Sequence, residues 1–118
     1  MTLGTVLALV GAALATILAG IGSAKGVGMA CEVGMGVLAE DSSKFGKMLV
    51  LELLPGTQGL YGFIVSFIVL TKIGVFGGSA NLATWEGGMI LAACLPIAIG
   101  GLMSGISQGK AAVAGISL

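Results

Sequence analysis

Three long uncharged runs divide this sequence, and they restrict its fold more than any other feature. The runs cover residues 1–24, 53–71 and 87–109. Each approaches or exceeds the ~20 residues that a helix needs to cross about 30 Å of hydrocarbon. We therefore predict an all-α protein with three membrane-spanning helices.

The composition excludes most soluble proteins. The chain is 57% hydrophobic and 8% charged, it has no histidine, and its formal net charge is zero. So few charges cannot coat an aqueous domain, and nothing indicates affinity for nucleic acid. No nucleophile and base are paired as a soluble enzyme would need. Cys31 and Cys94 fall in apolar stretches, so we interpret both as small core residues rather than as a disulfide or a metal site.

The helices are expected to extend beyond the uncharged runs. The predicted helices cover residues 1–39, 42–76 and 84–118. Asp41-Ser42-Ser43 is a turn and N-cap signal before the second helix, and residues 77–81 form the next loop. Pro55 is the breaker inside the second helix.

The lysines predict the orientation of the helices. Lys44 and Lys47 flank the first loop, Lys25 and Lys110 belong to the same end, and Lys72 marks the other end. Cytoplasmic loops carry an excess of Lys and Arg. We therefore expect a cytoplasmic first loop, an external N-terminus, an antiparallel pair of helices 1 and 2, and a third helix that runs in the direction of the first.

A short internal repeat indicates duplication. Residues 20–25 read GIGSAK, and residues 105–110 read GISQGK. We predict that residues 1–76 form a first helical hairpin and that residues 77–118 form the first helix of a second, incomplete hairpin. The missing helix is expected beyond Leu118.

Glycines predict close packing of the helices. Gly22 and Gly26 share one helix face, and so do Gly101 and Gly105. Such small-residue faces let helix backbones approach closely in lipid. Two interpretations stay open, namely pairing of helices within one chain and a narrow inner ring made by the first helices of many copies.

A polar cluster interrupts the second apolar run. In LLPGTQGLYGF, residues 53–63, the spacing places Leu54, Thr57 and Gln58 on one side of the helix, and Pro55 frees backbone carbonyl oxygen there. At 1.5 Å per residue, Gln108 of the third helix lies within about one turn of the depth of Gln58. Hydroxyl, amide and carbonyl oxygens are hard ligands that suit a small cation.

The cluster lacks a carboxylate to neutralise a cation. Glu52 is the candidate within this sequence, but it lies two positions before Leu54 and should point elsewhere. An ion pair with Lys47 or Lys25, or a place in the solvated lumen of a ring, is the preferred interpretation of Glu52. A role as the ion-binding carboxylate stays open as the weaker alternative.

LLPGTQGLYGF, GIGSAKGVGM and SGISQGK together resemble the proteolipid (c or K) subunit of V-type ATPases, particularly the bacterial sodium-translocating form, and the resemblance covers essentially the whole chain. It implies two fused hairpins in a membrane ring that rotates while other subunits hydrolyse ATP, so this chain is not an enzyme by itself. It also implies that Na+ is bound by the backbone carbonyl oxygen of Leu54 and by Thr57, Gln58 and Gln108. The family's essential glutamate belongs to the fourth helix, after Leu118.

The resemblance further implies the cargo and partners. The transported ion is Na+ in preference to H+, with no cofactor and no nucleic acid. The partners are identical subunits in the ring, a stator subunit of the a/I type, central-stalk subunits and membrane lipid, in a bacterial plasma membrane. Two alternatives stay open: a glycine-packed structural scaffold, and a small secondary transporter. The latter favours inverted repeats, whereas the copies here run in the same direction.

Overall fold

A computed structural model describes residues 1–78 and 81–118, and all its regular structure is helical. The described α-helices are α1 (Leu3–Glu40), α2 (Phe45–Leu53), α3 (Thr57–Lys72) and α4 (Thr84–Ile116). Short 3-10 turns at Ser42–Lys44 and Leu54–Gly56 precede α2 and α3. The prediction of an all-α protein is confirmed.

Three of these segments are long and apolar enough to cross a membrane. They are Leu3–Glu40, Ser42–Lys72 and Thr84–Ile116, and the second contains α2, the 3-10 turn and α3. The molecule measures 58 × 24 × 13 Å, so the spans lie side by side along one long axis. The chain is an integral membrane protein, as the uncharged runs predicted.

The turn after α1 has the predicted chemistry. Asp41 leaves the helix with an extended backbone, and its Oδ1 accepts a hydrogen bond of 3.0 Å from the Ser43 N–H. The Ser43 hydroxyl donates to the same oxygen. Bonds from the Ser43 hydroxyl and backbone hold the pKa of the Asp41 carboxyl group below its ordinary value. The side chain of Asp41 therefore caps the second span.

The second span ends earlier than predicted. α3 stops at Lys72 instead of residue 76, because Gly74 adopts a φ of 81°, which turns the chain out of the helix. Gly77 and Gly78 are non-helical, as predicted for the loop, and so is Asn81. Two of the predicted loop residues, 79 and 80, lie outside the described residues.

α1 is the central helix, and it contacts α4 in parallel. A Cβ on Gly22 would lie 2.5 Å from the Gly101 carbonyl oxygen, and one on Gly26 would overlap the Gly105 carbonyl oxygen. Near the other end of these helices, a Cβ on Gly87 would overlap the backbone of Gly4. The glycine pairs predicted to share a face therefore face each other, so these glycines pack helices within one chain.

α3 packs antiparallel on another face of α1. Gly62 lies against Ala15 and Ala19, and the Ser66 hydroxyl donates to the Ala12 carbonyl oxygen. Higher numbers on α3 therefore meet lower numbers on α1. The predicted antiparallel pair, and a third span parallel to the first, are both observed.

Polar residues join the first and third spans at the end opposite the Asp41 turn. The Thr2 hydroxyl donates to the Leu82 carbonyl oxygen at 2.6 Å, and the Leu82 N–H donates to Thr5 Oγ1 at 3.2 Å. Thr2 also caps α1, since its Oγ1 accepts from the Thr5 N–H. These bonds align the starts of α1 and α4, and hence fix their relative depth.

Candidate cation-binding site

The site is built around a break in the second span. Pro55 is buried and occupies the 3-10 turn between α2 and α3. Proline has no N–H to give to the carbonyl oxygen of Leu51, so an α-helix cannot continue unchanged through this position. Gly26 of α1 makes room for the turn, because a Cβ there would lie 2.7 Å from the Pro55 Cβ.

Hydrogen bonds connect the four predicted ligand residues. The Thr57 hydroxyl lies 3.2 Å from the Leu54 carbonyl oxygen and 3.3 Å from Gln58 Oε1, and donates to them. Gln58 Nε2 donates to Gln108 Oε1 at 2.7 Å. The second and third spans therefore meet at the predicted depth, and we call Leu54, Thr57, Gln58 and Gln108 the oxygen cluster.

The oxygen cluster is accessible at one side of the molecule. Thr57, Gln58 and Gln108 are half-buried, and Leu54 is exposed. The cluster offers hydroxyl, amide and backbone carbonyl oxygens, all of them neutral. Such a set can coordinate a small hard cation, but it cannot neutralise the cation's charge.

Glu52 is separated from the oxygen cluster by its orientation. Its side chain is 8% exposed and packs on α1, where it covers Gly34 and lies beside Cys31. From the residues that the structure describes, Glu52 Oε1 accepts no hydrogen bond. Within the part of the chain that the structure describes, Glu52 makes no ion pair with Lys25 or Lys47, so that interpretation was wrong. A place for Glu52 in the lumen of a ring stays a prediction.

Two polar contacts escaped the sequence interpretation. Glu86 accepts the Ala83 N–H at 3.0 Å and so caps α4. Only this half of a capping box forms, because Ala83 has no side-chain acceptor, and an acidic residue in the first turn was its only signal in the sequence. Ser23 of α1 accepts the Gly59 N–H at 2.7 Å, beside the oxygen cluster. Nothing in the sequence indicated this contact, except that Ser23 is a hydroxyl residue in a glycine-rich stretch.

The sequence model of the ATP synthase C family matches residues 10–69, which include most of α1, all of α2, the Pro55 turn and most of α3. This chain belongs to the ATP synthase C family. The resemblance drawn from the three motifs is confirmed.

Two relatives match nearly the whole chain. The V-type sodium ATPase subunit K of Enterococcus hirae is 48% identical over 115 residues, or 98% of this chain and 70% of that protein. The A-type ATP synthase subunit K of Methanocaldococcus jannaschii is 44% identical over 111 residues, or 94% of this chain and 46% of that protein. This chain thus spans less than half of the archaeal relative. Like these proteins, it is a non-catalytic subunit.

Proposed function

We propose that this chain is a rotor-ring subunit of a V-type ATPase and that it binds Na+ and carries it across the membrane. The observation that supports the site is the oxygen cluster, in which two spans bring neutral oxygens together at an accessible face. Na+ is favoured over H+ because a proton needs a carboxylate but no shell of neutral oxygens. The name of the Enterococcus hirae relative, a sodium ATPase subunit, agrees with this choice.

The proposed ligands are the Leu54 carbonyl oxygen, Thr57 Oγ1, Gln58 Oε1 and Gln108 Oε1. Three of these oxygens already accept hydrogen bonds, from the Thr57 hydroxyl and from Gln58 Nε2. A carbonyl or amide oxygen has two lone pairs, so each of these three oxygens can keep its hydrogen bond and coordinate a cation with the other lone pair. Ion binding would therefore add to the hydrogen-bonded network of the site.

Neutralisation of the ion requires a carboxylate outside the oxygen cluster. A charged pair can cross lipid only when it is neutral overall. We propose that the carboxylate comes from the fourth helix that the family resemblance implies, and not from Glu52, which packs on α1. Residues 1–76 would then be one hairpin and residues 77–118 the start of a second.

In the proposed mechanism the ring turns against a stator subunit of the a/I type. A cation enters from the stator, is bound by the oxygen cluster and the carboxylate, and rides through lipid to the exit. Central-stalk subunits, on the cytoplasmic side with the Asp41 turn, connect the ring to ATP hydrolysis elsewhere. Binding must be tight enough to neutralise the ion and weak enough to release it.

The test is Na+ binding by rings purified after expression of the protein from its own gene. Thr57→Val removes a proposed ligand and should raise the Kd for Na+ about tenfold or more, because interactions with a charged group are worth about 1.5–3 kcal/mol. Thr71→Val is the matched control, since the Thr71 hydroxyl donates within its own helix, to the Phe67 carbonyl oxygen at 2.8 Å. Equal Na+ affinity in both variants would count against the site.

The two other functions make different predictions. A scaffold would assemble and unfold without any dependence on Na+, so a ring with no measurable Na+ affinity would favour it. A secondary transporter built on inverted repeats is disfavoured, because the repeated glycine segments of α1 and α4 pack in parallel.

A further inference from the structure

Ser23 has a buried hydroxyl group that is not among the proposed Na+ ligands. It lies in the middle of α1, and its side chain is 8% exposed. Its Oγ accepts the Gly59 N–H at 2.7 Å, which is a contact between two different spans. Gly59 directly follows Gln58, a member of the oxygen cluster.

The start of α3 explains why this bond matters. The first N–H groups of an α-helix have no acceptor within the helix, and a side chain at the N-cap residue usually supplies one. The N-cap residue of α3 is Gly56, which has no side chain, and no local side chain caps the helix. Gly59 is the third residue of α3, so Ser23 supplies from a neighbouring helix the acceptor that the local sequence lacks.

The packing around this bond leaves little freedom. A Cβ on Gly59 would lie 3.2 Å from Ser23 Oγ and 3.6 Å from the Gly20 Cα. The backbone that carries Gln58 therefore rests directly on α1. Removing the Ser23 hydroxyl would leave the Gly59 N–H without this acceptor and would loosen the first turn of α3.

The same turn of α1 also supports the other half of the oxygen cluster. A Cβ on Gly105 of α4 would lie 2.6 Å from the Gly22 carbonyl carbon and 2.9 Å from the Ser23 nitrogen. Gly105 lies one turn before Gln108 on the same helix. The Gly22–Ser23 segment of α1 thus contacts both α3, which contains Gln58, and α4, which contains Gln108.

We infer that Ser23 is a positioning residue for the cation site, because its hydroxyl fixes the first turn of α3 and so sets Gln58 against Gln108. The inference rests on the proposed function, since it needs the oxygen cluster to bind an ion. Hydrogen bonds that orient ligands without touching the ion commonly affect metal affinity 10- to 100-fold when they are removed. A purely structural bond would affect assembly and leave ion affinity unchanged.

The test measures Na+ affinity in purified rings of the parent protein and of Ser23→Ala. We expect Ser23→Ala to raise the Kd for Na+ about tenfold. Ser66→Ala is the matched control, because Ser66 is also a buried serine whose hydroxyl joins α3 to α1, through the Ala12 carbonyl oxygen. The control should bind Na+ as the parent does, even if it unfolds at a lower temperature.

A double-mutant cycle separates positioning from general stability. If Ser23 acts by placing Gln58, Ser23→Ala should cause little further loss in a ring that already carries Gln58→Ala. Three results would each overturn the inference. They are an unchanged Kd for Na+ in Ser23→Ala, an equal rise of the Kd in Ser66→Ala, and a double variant whose rise in Kd is the product of the two single rises. The proposed function would survive those results, whereas a parent ring that binds no Na+ would overturn both.

Ser23→Cys keeps the test decisive if Ser23→Ala does not assemble. The thiol keeps a polar group at this position, although sulfur is larger than oxygen and is a weak hydrogen-bond acceptor. A ring with Ser23→Cys should therefore assemble and still bind Na+ more weakly than the parent. Parental affinity in that ring would contradict the inference.

Discussion

At the scale of single residues, the amide pair Gln58–Gln108 is the most informative contact in the molecule. Each glutamine stands in an apolar span, where an unpaired amide costs several kcal/mol. The bond of 2.7 Å between Gln58 Nε2 and Gln108 Oε1 satisfies one donor and one acceptor and fixes the relative depth of two spans. The same pair supplies two of the oxygens that we propose as Na+ ligands.

Gln58→Ala tests the ligand assignment by protection chemistry. If Gln58 Oε1 binds Na+, the variant should need about tenfold more Na+ to protect the ring against a carboxyl-reactive carbodiimide, because one ligand of a charged ion is lost. The measurement is the rate of carbodiimide labelling against Na+ concentration. Gln108→Ala should shift protection in the same direction, and unchanged protection in both would contradict the assignment.

Asp41 permits a prediction about pH. Bonds from the Ser43 hydroxyl and backbone lower the pKa of the Asp41 carboxyl group, so folding favours its charged form. The stabilisation from this cap is complete above the unfolded pKa of the group and is lost as the pH falls through the folded pKa. Ser43→Ala should raise the Asp41 pKa toward its ordinary value in an NMR titration of the carboxyl carbon.

Ser42→Ala is the control for that titration. Among the described residues, Ser43 hydrogen-bonds the Asp41 carboxylate and the neighbouring Ser42 does not. The Asp41 pKa should therefore stay where it is in the parent. A similar rise in both variants would mean that the Ser43 bonds are not the cause of the lowered pKa.

At the scale of helices, glycine contacts decide how closely α1 approaches its neighbours. Gly26 faces the Gly105 carbonyl oxygen on one helix and Pro55 on another. Helices in lipid gain little from the hydrophobic effect between them, so close van der Waals contact is the main attraction. One glycine of α1 therefore serves both the α1–α4 contact and the proline turn that shapes the oxygen cluster.

Gly26→Ala should destabilise the three-span unit. The added methyl group would overlap backbone of α4, which cannot move aside like a flexible side chain, and overpacking of this kind costs about 1–3 kcal/mol. Thermal unfolding in detergent should show a lower midpoint. The control is Gly28→Ala, because a Cβ on Gly28 meets nothing within 4 Å of the described chain. Equal midpoints for the two variants would argue against this packing.

At the scale of the whole molecule, α1 presents two sets of glycines with different neighbours. Gly22 and Gly26 are buried against α4, whereas a Cβ on Gly20, Gly28 or Gly36 would meet nothing within 4 Å. The first set explains packing within the chain. The second set is free for contact between copies, as the proposed ring requires. Packing within one chain and packing between copies can therefore both use glycines of α1.

Gly28→Leu should separate folding from assembly. The larger side chain enters open space in the single chain, so thermal unfolding of the monomer should change little, while close contact between copies should be blocked. Native mass spectrometry of detergent-solubilised protein would then show fewer complete rings than the parent forms. Gly46→Leu, at an open site on α2, is the control, and full ring formation by Gly28→Leu would exclude this face of α1 from the interface.

The sequence predicted well those features that depend on length and on local chemistry. Apolar run length fixes the number of spans, Asp41 and Ser43 form their turn with adjacent residues, and helical rise brings Gln58 and Gln108 to one depth. The parallel arrangement of the repeated glycine segments also followed from the order of spans. These quantities need no knowledge of which helix faces meet.

Other features were decided only by the tertiary structure. The spans are apolar on nearly every side, so no amphipathic stripe indicates which face packs inward. The burial of Glu52 on Gly34 and the bond from Gly59 to Ser23 depend on that choice of face. Run length and residue spacing set the number of helices, their directions and the depth of the polar groups, whereas the close approach of glycine backbones sets which of those groups are in contact.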